Sequence, residues 1–123
     1  HAKLAECLVE GNAYARVAPV LMLSIAKKFY AHNQKPNRHA MHDVGCATGY
    51  MYLQATAMDL GMHEMGGFSV EKAREFFAIG DDFEPAAVIA IGYPGDLASL
   101  PDGVRERAMA PRTRKPAAEM IWA

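Results

Sequence analysis

Cysteine is scarce in this sequence, and its two cysteines, Cys7 and Cys46, do not form a Cys-x-x-Cys motif. Two widely spaced cysteines are too few for a disulfide framework, so we expect reduced thiols in a cytoplasmic protein. Long apolar runs are also missing, since no stretch reaches the roughly 18 to 20 residues that a membrane span needs. The opening residues, His1 to Glu6, read as a helix and not as a signal peptide. The sequence therefore predicts no membrane segment.

The sequence also lacks an excess of positive or of negative charge. Lys and Arg number 13 against 14 for Asp and Glu, which leaves a net charge of -1. This balance gives no electrostatic reason to expect nucleic acid or an anionic membrane as a partner. The one basic stretch, Arg105 to Lys115, is typical of a solvated tail, although it is also suited to holding a small anion.

The remaining composition is that of a folded domain, with 51% hydrophobic and 22% charged residues. A length of 123 residues accommodates one core and no second domain. An initiator Met is absent, and the chain opens in the middle of a helical pattern. We therefore expect a fragment of a longer protein; a processed mature terminus is the alternative.

The first third of the chain predicts a helix, a strand and a loop. Leu4, Cys7 and Leu8 recur at helical spacing, and Gly11-Asn12 is a suitable stop for that helix. The apolar run Ala18–Ala26 predicts a buried strand, because its proline stands near the start, where no ladder donor is lost. Lys27–Arg38 is polar and is expected to be a loop or a frayed helix.

A long helix is predicted from Met41 to Leu60, ended by Gly61. Its apolar residues fall on two different faces, which predicts burial on more than one face. Gly45 and Gly49 are four residues apart and allow a second backbone to approach closely. In so short a chain, we expect the second surface to belong to another subunit.

The remaining elements follow from local signals. Ser69 is a predicted N-cap, with a capping-box partner in the residues after it, for a helix that runs through Phe77. Pro85–Tyr93 predicts a second buried strand, which Pro94-Gly95 closes. Everything after Leu97 is expected to be loop.

Two histidine pairs are weak candidates for chemistry. His39 and His42 are able to share a helix face with Asp43, but two imidazoles without a third ligand are a poor signal for zinc. A helix N-terminus, at which Asp43 is favoured by the macrodipole, is the simpler interpretation, and we expect no metal. His63 and Glu64 resemble an acid–base pair, although adjacent side chains seldom converge on one substrate atom.

Two further segments are stronger candidates for ligand binding. Gly66-Gly67, directly before a helix cap, allows the backbone to approach a flat ligand and to present its N–H groups. A plain tight turn has the same sequence. Arg112 and Arg114 offer two guanidinium groups suited to a phosphate or carboxylate, and a solvated tail is the alternative.

The order and spacing of these segments resemble the nitroreductase family over about Leu4 to Ile121. Tyr14 stands where a family motif carries another aromatic residue. The matching segments are Gly11–Ala15 with Ala18–Val20, His42–Ala47 with Leu53–Ala55, His63–Phe68, Ile91–Gly95 and Ala110–Pro116. All five occur in family order and at family spacing.

The resemblance implies a site for flavin mononucleotide (FMN). In the family, the loop after this strand presents backbone N–H groups to the N5 and O4 edge of the flavin, which here implies Gly66 and Gly67. Met65 is implied to pack near the ring. The family's tail cations hold the FMN phosphate, which here implies Arg112 and Arg114.

The resemblance also implies the fold and the reaction. The family has an α+β fold with an antiparallel central sheet flanked by helices, and it forms homodimers with the long helix, here Met41–Leu60, buried at the interface. NAD(P)H reduces FMN, which then reduces a small acceptor such as a nitroaromatic or a quinone. Because the flavin carries this chemistry, no catalytic side chain is expected.

The chain departs from the family at both ends. An Arg-Arg-Ser-type phosphate segment and a Gln-Pro-Trp-type strand have no counterpart, and the chain stops at Ile121-Trp122-Ala123, before the family's C-terminal arm. We therefore expect residues 1–123 to be a partial nitroreductase-like domain that binds FMN poorly and is inactive alone.

Three other functions stay open from the sequence. They are another flavin-linked role such as dehalogenation or cofactor breakdown, a non-catalytic helical dimerisation module, and a metal-binding protein that uses His39 and His42. The combination of Gly66-Gly67 with Arg112-x-Arg114 favours a flavin enzyme, because a packing module does not need it.

Overall fold

The computed structural model describes residues 1–121, so Trp122 and Ala123 lie outside the described part of the predicted domain. Four helices and three strands follow one another: α1 (Ala2–Cys7), β1 (Val20–Lys27), α2 (Ala40–Ala57), β2 (Gly61–Met65), α3 (Val70–Phe77), β3 (Phe83–Gly92) and α4 (Asp102–Met109). Short 3-10 segments occupy Glu10–Val17, Leu97–Ser99 and Ala117–Glu119.

The three strands form one antiparallel sheet with the order β1-β3-β2. This arrangement confirms the predicted α+β class with an antiparallel central sheet. The pairing of β1 with β3 shifts once, because Ser24 lies opposite Ala87 while Ile25 lies opposite Pro85. A proline is tolerated in this central strand since the bulge interrupts the regular ladder beside it.

The main core lies between one face of the sheet and the helices α1 and α3. Its buried members are Leu4, Cys7, Leu8, Ala15, Leu21, Met65, Phe68, Ala73 and Val88. Cys7 is 1% exposed, and this burial raises the pKa of its thiol, while nearby Lys72 lowers it and Glu6 raises it. The Cys7 thiol is therefore a core group and not a reactive one.

Helix α2 covers the opposite face of the sheet. Because side chains alternate between the two faces of a strand, neighbouring residues of β3 contact different layers. Val88 belongs to the main core, whereas its neighbour Ile89 lies beside Val44 and Met51 of α2. At 18 residues, α2 is the longest helix. Within residues 1–121, no helix is both long and apolar enough to cross a membrane.

Among residues 1–121, only one face of α2 is covered. Tyr50 and Leu53 are 73% and 70% exposed, and a Cβ added at Gly45 or Gly49 would have no described atom within 4 Å. The described residues leave this second face of α2 uncovered, and the dimer interface on α2 stays a prediction.

Several predicted boundaries need correction. The helix predicted over Met41–Leu60 ends at Ala57, since Asp59 takes a left-handed conformation with φ 57°. Gly61 opens β2 and does not end a helix. Strand β2 has no clear signal in the sequence, because its five residues alternate weakly and contain a histidine and a glutamate.

Three other predictions also need correction. The strand predicted over Ala18–Ala26 runs from Val20 to Lys27 and lies at an edge of the sheet, so it is only partly buried. Gly11 lies inside a 3-10 segment and ends no helix. The region after Leu97 contains α4, whose polar residues resemble those of a loop because the described part of the chain buries none of them.

Ser69 is the predicted N-cap of helix α3, and its hydroxyl group makes two hydrogen bonds. The Ser69 hydroxyl oxygen accepts a hydrogen bond from the Lys72 N–H at 3.2 Å and donates to the Glu71 carboxylate at 3.1 Å. The helix ends at Ala78, which adopts a left-handed conformation with φ 50°. This cap fixes the end of the segment that joins β2 to α3.

Candidate functional site

The glycine pair lies in the turn between β2 and α3. The Gly67 carbonyl oxygen accepts two hydrogen bonds, from the Asn12 side-chain amide at 2.9 Å and from the Val9 N–H at 3.3 Å. A Cβ at position 67 would lie 2.7 Å from Asn12 Nδ2 and 3.1 Å from Val9 Cγ2. A side chain at position 67 would therefore displace Asn12 and crowd Val9, which favours glycine there.

The same turn leaves two adjacent backbone donors unused. No hydrogen bond within residues 1–121 uses the N–H of Gly66 or of Gly67, and Gly67 is half-buried. A Cβ at Gly66 would have no described atom within 4 Å. Gly66 is exposed, so the burial argument applies to Gly67: a half-buried N–H group normally finds an acceptor, and this turn is suited to a ligand that brings acceptor atoms to it.

Tyr14 and His63 line two clefts. The Tyr14 hydroxyl lies 2.9 Å from His63 Nε2, and the two rings are 6.0 Å apart and tilted by 46°. The first cleft, of about 500 Å³, lies at the end of the sheet where β3 ends and β2 begins, and it includes Met62, Ile91 and Tyr93. The Tyr14–His63 pair therefore forms a shared polar wall.

The second cleft, of about 470 Å³, lies between the 3-10 segment and α4. Gly11 and Asn12 line it on one side and Arg107 on the other. Since Asn12 also holds the Gly67 carbonyl, this cleft adjoins the segment that positions the glycine turn. Arg107 gives it a positive charge that the first cleft lacks.

The hydrogen bonds of His63 and Glu64 do not support an acid–base pair. His63 pairs with Tyr14, whereas the Glu64 backbone N–H donates to the Tyr52 hydroxyl at 2.9 Å. Adjacent residues of a strand point to opposite faces, so the two side chains diverge.

The other predicted cofactor residues lie in different surroundings. Met65 is 3% exposed and belongs to the main core. Arg112 and Arg114 are exposed in the coil after α4, and Arg114 donates to the neighbouring Thr113 carbonyl at 2.8 Å. Neither arginine lines the two clefts described above, so their role in holding a phosphate stays a prediction.

The histidines of α2 lie at its first turn. His42 Nδ1 is 3.4 Å from the Asp43 carboxylate, and His42 Nε2 is 3.8 Å from the Cys46 sulfur. Across residues 1–121, no group of three or more metal-ligating side chains is placed to hold an ion.

Asn12 and Tyr14 are site residues to which the sequence assigned no binding role. Gly11-Asn12 was interpreted as a helix stop, and Tyr14 as the aromatic residue of a segment that resembles the family. A signal was present, because an asparagine after glycine and an aromatic residue two positions later combine an amide donor with a flat ring. Their partners, Gly67 and His63, are 55 and 49 residues distant in sequence, which local spacing does not reveal.

The sequence of this chain matches known proteins along most of its length. Residues 3–93 match the Nitroreductase family. The chain is 35% identical over 111 residues to the "Uncharacterized 15.4 kDa protein in ask 5′region" of Mycolicibacterium smegmatis, with 90% of this chain and 74% of that protein covered.

Two solved structures resemble this chain in sequence and fold. A structure described as an oxidoreductase containing FMN superposes with a TM-score of 0.87 at 32% identity, covering 97% of this chain and 62% of that one. A nitroreductase family protein from Clostridium difficile 630 gives a TM-score of 0.68 at 25% identity, covering 98% and 65%. The chain thus spans less than two thirds of the length of these two structures.

Proposed function

This chain belongs to the nitroreductase family, and we propose that the full-length protein is an FMN-dependent oxidoreductase that uses NAD(P)H to reduce a small acceptor. Residues 1–123 supply a part of its catalytic domain. Nitroaromatics and quinones are the acceptor class that we propose.

One observation carries this proposal: the unused N–H groups of Gly66 and Gly67 lie side by side in a turn that Asn12 holds in place. An oxidised flavin has acceptor atoms along one edge of its ring and is therefore suited to such a pair of donors. The structure of similar sequence that contains FMN supports the choice of cofactor.

The chain's own residues have separate tasks in this proposal. Gly66 and Gly67 orient the flavin edge, and Met65 packs beneath the turn from the core. Arg112 and Arg114 supply positive charge for the FMN phosphate, because guanidinium groups bind phosphate with two parallel hydrogen bonds. The flavin, when bound, supplies the hydride chemistry, so these residues bind and position and take no proton themselves.

The accessible face of α2 completes the proposal. Tyr50 and Leu53 would be covered by the same helix of a second copy, and Gly45 and Gly49 would permit close approach. We therefore propose a homodimer through α2, with the FMN site depending on both copies.

The test is to purify the full-length protein and to measure its bound flavin and its NAD(P)H oxidation. We expect a yellow protein that releases FMN on denaturation and transfers electrons to a nitroaromatic or a quinone. A colourless protein that fails to bind added FMN would contradict the proposal. The 123-residue chain, measured in parallel, should bind FMN far more weakly.

A further inference from the structure

The second cleft, between the 3-10 segment and α4, has one formal positive charge in its lining. That charge is the guanidinium group of Arg107, and no Asp, Glu or Lys among residues 1–121 lines the cleft. Within the same residues the Arg107 side chain makes no hydrogen bond or ion pair, whereas Arg105 on the same helix is paired with Asp102. The donors of Arg107 are therefore available to a ligand of opposite charge.

The rest of the α4 wall is apolar. Val104, Arg107 and Ala108 share one face of this helix, because residues three and four positions apart are neighbours on its surface. The ring of Tyr14 adds a further apolar surface, and the cleft has a volume of about 470 Å³, which accommodates a small organic molecule. A ligand with an anionic head and an apolar body therefore matches both parts of this lining.

A second polar group of the cleft is the Tyr14–His63 pair, whose hydroxyl oxygen and Nε2 lie 2.9 Å apart. If Nε2 carries the proton, it donates to the Tyr14 oxygen and leaves the Tyr14 hydroxyl free to donate. If Nδ1 carries the proton, the Tyr14 hydroxyl donates to Nε2 and leaves the Nδ1–H free. Either tautomer of His63 therefore leaves one donor in the pair for an acceptor atom.

We propose that this cleft binds a small organic carboxylate, whose oxygens bind Arg107 and whose apolar body lies against Val104, Ala108 and the ring of Tyr14. A guanidinium group binds a carboxylate with two parallel hydrogen bonds. Because the lining has a single formal charge, a monoanion is matched there, whereas a dianion would lose hydration without gaining a second partner.

This site is separate from the proposed FMN site. The cleft is lined by none of the residues that we assign to the cofactor, which are Met65, Gly66, Gly67, Arg112 and Arg114. Binding there involves no electron transfer, so saturated carboxylates that a flavin does not reduce serve as probes. The site adds a ligand class to the proposed function and does not depend on it.

The experiment is equilibrium dialysis of the full-length protein, without NAD(P)H, against hexanoate, hexan-1-ol and acetate. We expect hexanoate to bind most tightly and hexan-1-ol, which lacks the charge, to bind about threefold more weakly or worse. Acetate should also bind more weakly, because it lacks the apolar body. Equal binding of hexan-1-ol would overturn the requirement for charge, and equal binding of acetate would overturn the requirement for an apolar body.

Two arginine variants test the charged contact. Arg107→Gln should weaken hexanoate binding about threefold to tenfold, a modest loss because Arg107 is exposed and water screens its charge. Arg105→Gln is the matched control, since it removes the same charge from α4 but lies outside the cleft. Equal losses in the two variants would mean that the general charge of the helix attracts the anion, which would overturn the site.

Two phenylalanine variants test the position of the apolar body. Ala108→Phe should fill the cleft and weaken hexanoate binding about tenfold, because Ala108 lines it. Met109→Phe is the control, since Met109 is an exposed neighbour on the same helix that lies outside the cleft. Unchanged hexanoate binding in both Arg107→Gln and Ala108→Phe would overturn the proposal.

Flavin content, measured by absorbance in each sample, distinguishes this site from the proposed FMN site. Loss of hexanoate binding in Ala108→Phe with FMN retained supports a separate carboxylate site. Displacement of FMN by hexanoate would place the carboxylate in the cofactor site and overturn the proposal. Absence of FMN from the wild type would contradict the proposed function alone, because the dialysis does not depend on the cofactor.

Discussion

Asn12 donates its side-chain amide to the carbonyl oxygen of Gly67 at 2.9 Å, which ties the 3-10 segment to the turn between β2 and α3. The same turn receives the Val9 N–H and sends its own two N–H groups to no described acceptor. One side of the turn is thus committed to the fold, and the other side is available to a ligand.

This division predicts that substitution of Gly67 lowers the stability of the fold and that substitution of Gly66 does not. Gly67→Ala should lower the free energy of unfolding by about 1 kcal/mol or more, because the new methyl group displaces Asn12 and breaks its hydrogen bond. Gly66→Ala should leave stability nearly unchanged, since its Cβ meets no described atom. Urea unfolding of the two variants checks this, and equal losses would contradict the assignment.

Replacing Arg112 and Arg114 by alanine tests the phosphate site. Each hydrogen bond between charged groups contributes roughly 1.5–3 kcal/mol, so the double variant of the full-length protein should bind FMN more weakly by about a hundredfold or more. Riboflavin, which has no phosphate, serves as the control ligand and should lose much less affinity. Equal FMN affinity in variant and parent, by fluorescence titration, would mean that both arginines belong to a solvated tail.

Gly49→Leu tests the proposed dimer. Within one chain the position is open, so leucine should not disturb the fold, but overpacking at a close helix contact costs about 1–3 kcal/mol. Sedimentation of the full-length protein at several concentrations should show dissociation in this variant. Gly103→Leu on α4, at an equally open position, is the control and should leave the assembly intact.

Alkylation of the two cysteines tests the same proposed interface on α2. Cys7 is buried and has a raised pKa, so its alkylation should be slow in every state of assembly. Cys46 is exposed within the chain and lies on the face of α2 proposed to meet a second copy. Mass spectrometry after iodoacetamide treatment should show Cys46 protected in the full-length dimer and reactive in Gly49→Leu. Fast labelling of Cys46 in the dimer would place the interface elsewhere.

Ala78→Gly should stabilise the chain. Ala78 holds a left-handed conformation that glycine adopts without a Cβ penalty, and the expected gain is about 0.5–1 kcal/mol. The control is Ala57→Gly at the end of α2, where right-handed helical geometry should make glycine destabilising by up to about 1 kcal/mol. Thermal unfolding measures both changes, and a loss at position 78 would contradict the conformational argument.

The sequence predicted elements whose signals are local. Ser69 was identified as a cap because a cap depends on the next three residues, and β3 was identified because a central strand is apolar throughout. The sequence did not predict helix α4 or strand β2, since neither has an apolar pattern strong enough to distinguish it from a loop.

The candidate site was less predictable than the fold, because its contacts join residues that only the fold brings together. Gly66 and Gly67 stand out in the sequence, but their binding capacity depends on Asn12, which reaches them only through the fold. The same holds for Tyr14 and His63, whose hydrogen bond joins the 3-10 segment to a strand.

The strand order β1-β3-β2 has a consequence for how the chain acquires its structure during synthesis. Both other strands pair only with β3 among the described residues, and β3 ends at Gly92. While the ribosome is still extending the chain through Asp82, β1 has no partner among the described strands. These three strands must then assemble late, in a step that closes long loops, which slows folding and leaves the nascent chain dependent on protection from aggregation.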